Sequence, residues 1–156
     1  MTTHFLFIRH AQSIWNATGR WQGQADPPLS EGGLVEARLL AERLRRTTTI
    51  HHIYTSDLQR AATTAGIVAD ALGLPVTLDP IWRERGIGDL EGLTTDEIIA
   101  GYPEFWASRL TGPMHAPGGE SVEEVLSRAT LGCNRLLERH TDETVAIFSH
   151  GGMILA

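Results

Sequence analysis

Two histidines, each at the end of a strand-like segment, are the residues of this sequence best suited to chemistry. Arg9 and His10 follow the apolar run 3–8, and His150 follows the apolar run 144–148. Both runs are too short for helices and are typical of strands. Because ligands bind at the carboxyl ends of strands in open α/β sheets, we expect the two histidines to share one site.

The residue types around His10 suit the transfer of a phosphoryl group. A neutral histidine can act as a nucleophile and form a covalent intermediate. The Arg9 guanidinium offers planar donors that match phosphate oxygens. Arg60 is predicted in the first turn of a helix, where its charge would join free N–H groups and the positive end of the helix dipole. A charged His150 would stabilise a phosphoryl group in transit. Taken singly, each of these is more often a solvated or structural residue.

A carboxylic acid is also needed, because the leaving oxygen of a phosphate ester must be protonated. The charged loop predicted at residues 81–92 carries three candidates, Glu84, Asp89 and Glu91. The residues alone leave the choice among them open, and each could instead be a solvated loop charge.

The composition excludes several classes of function. All 13 positive charges are arginines, so no Schiff-base lysine or P-loop lysine exists. The formal net charge is -6, so we expect no nucleic acid and no membrane surface as a partner. Cys133 is the one cysteine, which leaves no thiolate cluster. His51 and His52 would point to opposite faces of a strand. We therefore expect no metal and no cofactor.

The 156 residues fit a single domain, 1–156. The first residues do not resemble a secretory leader, and no apolar run approaches the ~20 residues of a membrane span. A reducing cytoplasm is the expected location.

Strand and helix signals alternate along the chain, which predicts an α/β fold built on a sheet. The helix starts carry capping signals. The predicted elements are a strand at 3–8, a long loop at 12–29, a helix after the N-cap Ser30, a strand at 50–55, a helix with the capping box Ser56–Gln59, a strand at 75–78, a short helix at 96–106 broken near Pro103, a loop at 111–119, a helix with the capping box Ser121–Glu124, a strand at 144–148 and a helix from Gly151.

Taken in order, these segments resemble the motifs of the histidine phosphatase superfamily, the phosphoglycerate mutase-like enzymes. The opening motif is similar to Arg9-His10-Ala11-Gln12-Ser13, with alanine where the family more often has glycine. The other similar segments are residues 28–33, 56–61, 83–92, 118–121 and 149–152. The resemblance runs from Phe7 to Gly152 in the expected order.

The resemblance implies a three-layer α/β sandwich with a mostly parallel central sheet flanked by helices. His10 would be the nucleophile that becomes phosphohistidine, and Glu84 would protonate the leaving group and then activate water. The groups that would bind the substrate are Arg9, Asn16, Arg60, His150 and Gly151. No metal is implied, because two arginines and a histidine supply the positive charge.

Within the family, the sequence favours a phosphatase that acts on a small phosphorylated metabolite. Mutases of the family are usually longer and carry extra arginines and lysines, whereas only Arg109 is basic in residues 94–113. A phosphoglycerate mutase dependent on 2,3-bisphosphoglycerate is the alternative. A phospho-ligand binder without turnover is a third hypothesis, disfavoured by the intact set of site residues. The substrate and the oligomeric state, a homodimer included, stay open.

Family members usually continue past the last motif with a full helix and a further strand. This sequence ends at Ala156. From the resemblance we expect a domain cut short at its C-terminus, less stable than a longer chain or reliant on a partner surface.

Overall fold

A computed structural model describes residues 2–108, 110 and 115–156, and its centre is a parallel sheet. The four strands of the described residues are β1 (His4–Arg9), β2 (His52–Thr55), β3 (Val76–Leu78) and β4 (Thr144–Ser149). Their order in the sheet is β1-β4-β2-β3, and all three pairings are parallel. The predicted α/β fold is confirmed, and the strand limits differ from the predicted ones by at most two residues.

Helices occupy most of the connections between the strands. They are α1 (Ile14–Ala17), α2 (Glu31–Thr47), α3 (Gln59–Leu72), α4 (Thr95–Gly101), α5 (Pro103–Ser108), α6 (Val122–Arg139) and α7 (Gly151–Ile154). The loop predicted at 81–92 contains parts of two 3-10 turns, Pro80–Trp82 and Gly88–Leu90. Arg109 lies outside the described residues, and so does the first part, 111–114, of the loop predicted at 111–119. Within the described ranges, no helix is both long enough and apolar enough to cross a bilayer.

The sheet is the middle of three layers, as expected from the resemblance. Successive residues of a strand point to opposite faces, and the core divides accordingly. On one face, Ile53 and Phe148 belong to a buried cluster with residues of α2 and α3. On the other face, Tyr54 and Ile147 pack in a second cluster with Val125 and other residues of α6. The strands are thus covered on both faces, as in other parallel sheets.

Two of the three predicted caps are confirmed, because they depend on local sequence. The Ser30 side chain accepts a hydrogen bond from the Gly33 N–H and caps α2. The capping box of α6 joins Ser121 and Glu124 reciprocally. The helix predicted to break near Pro103 is also interrupted there, between α4 and α5.

The capping box predicted at Ser56–Gln59 is wrong. α3 begins at Gln59 with Leu58 as its N-cap, and Ser56 Oγ instead accepts a hydrogen bond from the Leu58 N–H at 3.2 Å. The Gln59 N–H donates to the carboxylate of Asp26 at 2.6 Å. The loop after β1 therefore caps α3 through a tertiary contact, which no local pattern contains. Arg60 remains in the first turn of α3, as predicted.

Helix α6 lies close to the core because a glycine faces an indole. Trp82 is 1% exposed, and a Cβ built on Gly132 would lie 2.6 Å from its Cη2 atom. Cβ atoms do not approach other carbon atoms so closely. Gly132 therefore provides the space that Trp82 fills beneath the sheet.

We expect Gly132→Ala to lower the free energy of unfolding by up to about 2 kcal/mol. Overpacking would cost roughly 1–3 kcal/mol, offset by about 1 kcal/mol of helix propensity. Gly66, inside α3, has no heavy atom outside its own stretch of helix backbone within 4 Å of its Cβ position, so Gly66→Ala is the matched control and should stabilise by up to about 1 kcal/mol. Urea unfolding measures both. A Gly132→Ala midpoint at or above that of the native chain would contradict the packing argument.

Candidate active site

The two histidines lie side by side at the carboxyl end of the sheet. Arg9 pairs with Ser149 in the register of β1 and β4, and the His10 N–H continues the ladder by donating to the Ser149 carbonyl at 3.0 Å. The next residue on each strand is a histidine, so the His10 and His150 rings come within 5.1 Å, centroid to centroid. Both rings are buried, with 7% and 0% of the residue exposed.

His10 carries its free lone pair on Nε2. Its Nδ1 lies 2.7 Å from the Ala11 carbonyl, which can only accept, so Nδ1 bears the proton. Burial lowers the pKa of His10 to about 4, although the bond to Ala11 opposes the shift; the charges of Arg60 and Arg9 lower it further. At neutral pH the ring is therefore uncharged, and its Nε2 lone pair is free.

His150 is uncharged in the protein alone, contrary to the expectation of a charged ring. Burial lowers its pKa to about 2, and the charges of Arg60, His10 and other neighbours add to the effect. Neither ring nitrogen has a hydrogen-bond partner among the described residues. An anion bound here would favour the protonated ring, because an opposite charge at short distance stabilises the charged form.

Arg60 places a cation beside the two rings. It is fully buried, and its two terminal nitrogens donate to the carbonyls of Ala25 and Gly23 at 2.7 and 2.8 Å. Burial lowers its pKa, while Glu84 and other acidic groups oppose that shift; a guanidinium keeps its charge regardless. The Nε atom has no partner among the described residues.

Three buried nitrogen atoms without a hydrogen-bond partner among the described residues belong to the neighbours Arg60 and His150. They are Arg60 Nε and both ring nitrogens of His150, whereas a fourth such atom, Trp82 Nε1, lies in the core cluster on one face of the sheet. A buried donor left unpaired costs roughly 1–3 kcal/mol, so the arrangement is explained by a ligand that supplies acceptors. The Arg9 guanidinium lies over Gly151, 3.8 Å from its Cβ position, and adds a second positive charge. The site fits an oxyanion.

Of the three candidate acids, Glu84 is the one that lies against the turn after His150. Its Oε2 accepts from the Gly152 N–H at 3.1 Å and its Oε1 from the Arg85 N–H at 2.7 Å. A Cβ at Gly152 would lie 2.5 Å from Oε1, so a side chain at this position would displace the carboxylate. Glu91 is instead bound to the Gln24 N–H, and Asp89 is exposed.

Two clefts meet beside this group and share Arg9 and Asn16. One, of about 280 Å³, reaches His10. The other, of about 320 Å³, is lined by Glu84 together with Trp21, other apolar side chains and Arg20. The side-chain oxygen Oδ1 of Asn16 accepts from the Ser13 N–H at 3.0 Å, so the side-chain NH2 group is the one available to a ligand.

Residues 5–156 match the sequence profile of the histidine phosphatase superfamily (branch 1). The chain belongs to this superfamily. The resemblance seen in the sequence motifs is thereby confirmed.

Several members of the histidine phosphatase superfamily are similar over nearly all of this chain. Phosphoglycerate mutase-like protein 4 of Arabidopsis thaliana is 37% identical over 153 residues, 96% of this chain and 66% of its own length. The metal-independent phosphoserine phosphatase of the same plant is 34% identical over 158 residues, 99% of this chain and 66% of its own length. A solved structure of a mycobacterial glucosyl-3-phosphoglycerate phosphatase superimposes with a TM-score of 0.87 at 35% identity, covering 95% of this chain and 75% of that one. The chain thus spans slightly less than two thirds of the length of these two curated relatives.

An ion pair behind Glu84 escaped the sequence reasoning. The Arg128 guanidinium donates to the backbone carbonyls of Arg83 and Glu84 at 2.7 and 3.0 Å, and it pairs with Glu120 at 3.0 Å. Burial alone would raise the pKa of Glu120, but hydrogen bonds from Arg128 and the Gly86 N–H bring it below its ordinary value. The segment at 118–121 is one of the motifs in the sequence, yet nothing in the local sequence links it to Arg128 and the Glu84 backbone.

The two buried histidines of this superfamily member predict a loss of stability in acid. Both native pKa values lie below the ordinary 6.5, so as pH falls below 6.5 the unfolded chain takes up protons that the native chain refuses. At pH 5.5 we expect about 1.4 kcal/mol less stability per histidine than at pH 7.5, about 3 kcal/mol in all. Urea unfolding in phosphate-free buffer measures it.

His10→Asn is the matched variant for this measurement. It removes one of the two groups, so about half of the loss should persist through His150. An equal loss in the native chain and in His10→Asn would show that His10 is not held neutral by burial.

Proposed function

We propose that this chain is a metal-independent phosphomonoesterase that works through a phosphohistidine intermediate on a small phosphorylated metabolite. One observation carries the proposal: a buried imidazole with a free lone pair, His10, lies among buried nitrogen atoms that have no acceptor among the described residues. Phosphoryl transfer requires mainly positioning and charge stabilisation, which this arrangement supplies.

In the first step His10 Nε2 attacks phosphorus and the bond between phosphorus and the ester oxygen breaks. Glu84, in its acid form, gives a proton to that oxygen, and the alcohol leaves. The negative charge on the phosphoryl oxygens is shared by Arg9, Arg60 and His150, which such a dianion would favour in its protonated form. The product of this step is phosphohistidine and a free alcohol.

In the second step water attacks the phosphohistidine. The Glu84 carboxylate takes a proton from the water, which restores the acid form, and the bond between phosphorus and Nε2 breaks. Inorganic phosphate is released and His10 returns to its neutral form. Two hydrogen bonds from backbone N–H groups hold Glu84 in position for both proton transfers.

The relatives support hydrolysis, with isomerisation as the second candidate. Two of the similar proteins are named phosphatases, of phosphoserine and of glucosyl-3-phosphoglycerate. A third is named phosphoglycerate mutase-like. A mutase that depends on 2,3-bisphosphoglycerate is therefore the alternative function. The cleft of about 320 Å³, with Trp21 and Phe105 beside Arg20, suits a substrate of metabolite size with an apolar part.

We also infer a reducing cytoplasm as the working compartment. Cys133 is half-buried and unbonded, and a single cysteine can form no intrachain disulfide.

We expect the native chain to hydrolyse phosphoserine and p-nitrophenyl phosphate, and His10→Ala to abolish both activities. Glu84→Gln should lower kcat for phosphoserine by about 10²–10⁴-fold, the usual contribution of a general acid. The loss on p-nitrophenyl phosphate should be smaller, because nitrophenolate leaves without a proton. Initial rates and acid-labile labelling of His10 measure these effects.

Two results would overturn the proposal. Binding of phosphate esters without turnover would make the chain a ligand-binding protein. Isomerisation of 3-phosphoglycerate that depends on 2,3-bisphosphoglycerate and exceeds hydrolysis would make it a mutase.

Arg128 is predicted to be a positioning residue for Glu84. Arg128→Gln should lower kcat for phosphoserine by about tenfold or more and affect p-nitrophenyl phosphate less, since it acts through the acid. Arg135→Gln, an exposed arginine of the same helix, is the control and should leave both rates unchanged. Equal losses on the two substrates would mean that Arg128 only supports the fold.

A further inference from the structure

A second cluster of titratable side chains lies at the opposite end of the sheet from His10. His52 is the first residue of β2, Glu143 directly precedes β4, and His140 ends α6 as its C-cap. The six residues of β4 separate this cluster from the candidate active site, about 20 Å at 3.3 Å per residue. The three side chains therefore take no part in the chemistry proposed above.

The three side chains point their polar atoms at a common place. Glu143 Oε2 lies 3.0 Å from His52 Nε2 and 2.9 Å from His140 Nδ1. All three atoms lie within 4.8 Å of one another. The ligand atoms of a tetrahedral zinc site, at about 2.0–2.2 Å from the metal, are separated by roughly 3.3 Å. Small side-chain movements would therefore bring these atoms to coordination distance.

The surroundings of His140 are those of a metal ligand. Its second ring nitrogen, Nε2, lies 2.9 Å from the Tyr54 hydroxyl, and both residues are buried. A ligating histidine almost always gives its other N–H to such a partner, which fixes the tautomer and the ring orientation. Without a metal, Nδ1–H donates to Glu143. A metal bound at Nδ1 would require the ring proton on Nε2 instead, where the Tyr54 hydroxyl can accept it.

The charge and access of the cluster also suit a cation. Hydrogen bonds from His140 and His52 lower the pKa of Glu143, so the carboxylate is ionised at neutral pH. The side chains of His52 and Glu143 are 37% and 35% exposed, which gives a metal a path of entry and room for a water as fourth ligand. Two imidazoles and one carboxylate form a donor set that zinc accepts.

We propose that His52, His140 and Glu143 bind one divalent transition-metal ion of the zinc class. The ion would join the end of α6 to the starts of β2 and β4 and would stabilise the fold without entering the reaction. No motif predicts the site, because His52 and Glu143 are 91 residues apart in the sequence.

The test is a titration of the native chain with Zn²⁺ alone, followed by calorimetry and thermal unfolding. We expect one ion per chain and a rise of about 5–10 °C in Tm at a hundredfold excess over Kd. His52→Ala and Glu143→Gln should each weaken binding by at least tenfold and remove the rise in Tm. His4→Ala, an exposed histidine on β1, is the matched control and should leave both unchanged.

The competing location for Zn²⁺ is the His10 and His150 pair, so the same titration is run on His10→Asn. Binding that falls in His10→Asn and persists in His52→Ala would overturn the proposal. Binding of no ion at all, with the cluster acting only as a hydrogen-bonded network, would overturn it equally. Neither outcome depends on whether the chain hydrolyses phosphate esters.

Discussion

The buried guanidinium of Arg60 is the constraint on which the rest of this structure depends. A cation without access to water must be stabilised by acceptors, and the carbonyls of Gly23 and Ala25 provide them. These bonds hold the long loop after β1 against α3. The same loop brings Asp26 to the start of that helix, where it caps the Gln59 N–H. One buried charge therefore fixes both the loop and the helix that carries it.

Burial is the main reason that both histidines are uncharged, and the charge of Arg60 adds to its effect. A cation and two imidazoles in one buried place cannot all be protonated, and burial by itself already disfavours the imidazolium forms. His10 thus keeps the lone pair that a nucleophile needs. The two ring nitrogens of His150 and the Arg60 Nε have no hydrogen-bond partner among the described residues. The site is arranged for a ligand with several negative oxygens, whose charge the protein does not itself supply.

The parallel sheet gives the molecule two different ends. Register alone brings His10 and His150 together, because each follows a paired residue at the carboxyl end of its strand. At the amino end, the C-terminus of α6 lies next to the starts of β2 and β4. The metal ion proposed at Glu143 would connect these three elements. Glycines allow the close contacts in between: Gly152 admits the Glu84 carboxylate and Gly132 admits Trp82.

The sequence by itself determined the strands, most of the helices and the candidate phosphate-binding residues, because periodicity, caps and short motifs are local. Tertiary structure decided what depends on residues that are distant in the chain. Asp26, and not Ser56, caps α3, because the fold brings the carboxylate of a distant loop to the free Gln59 N–H. Glu84, unlike Asp89 and Glu91, accepts a hydrogen bond from the Gly152 N–H. Arg128, on helix α6, donates to the Glu84 backbone carbonyl. Local patterns record which side chains can do chemistry, whereas burial and distance between remote segments decide which of them meet and in what charge state.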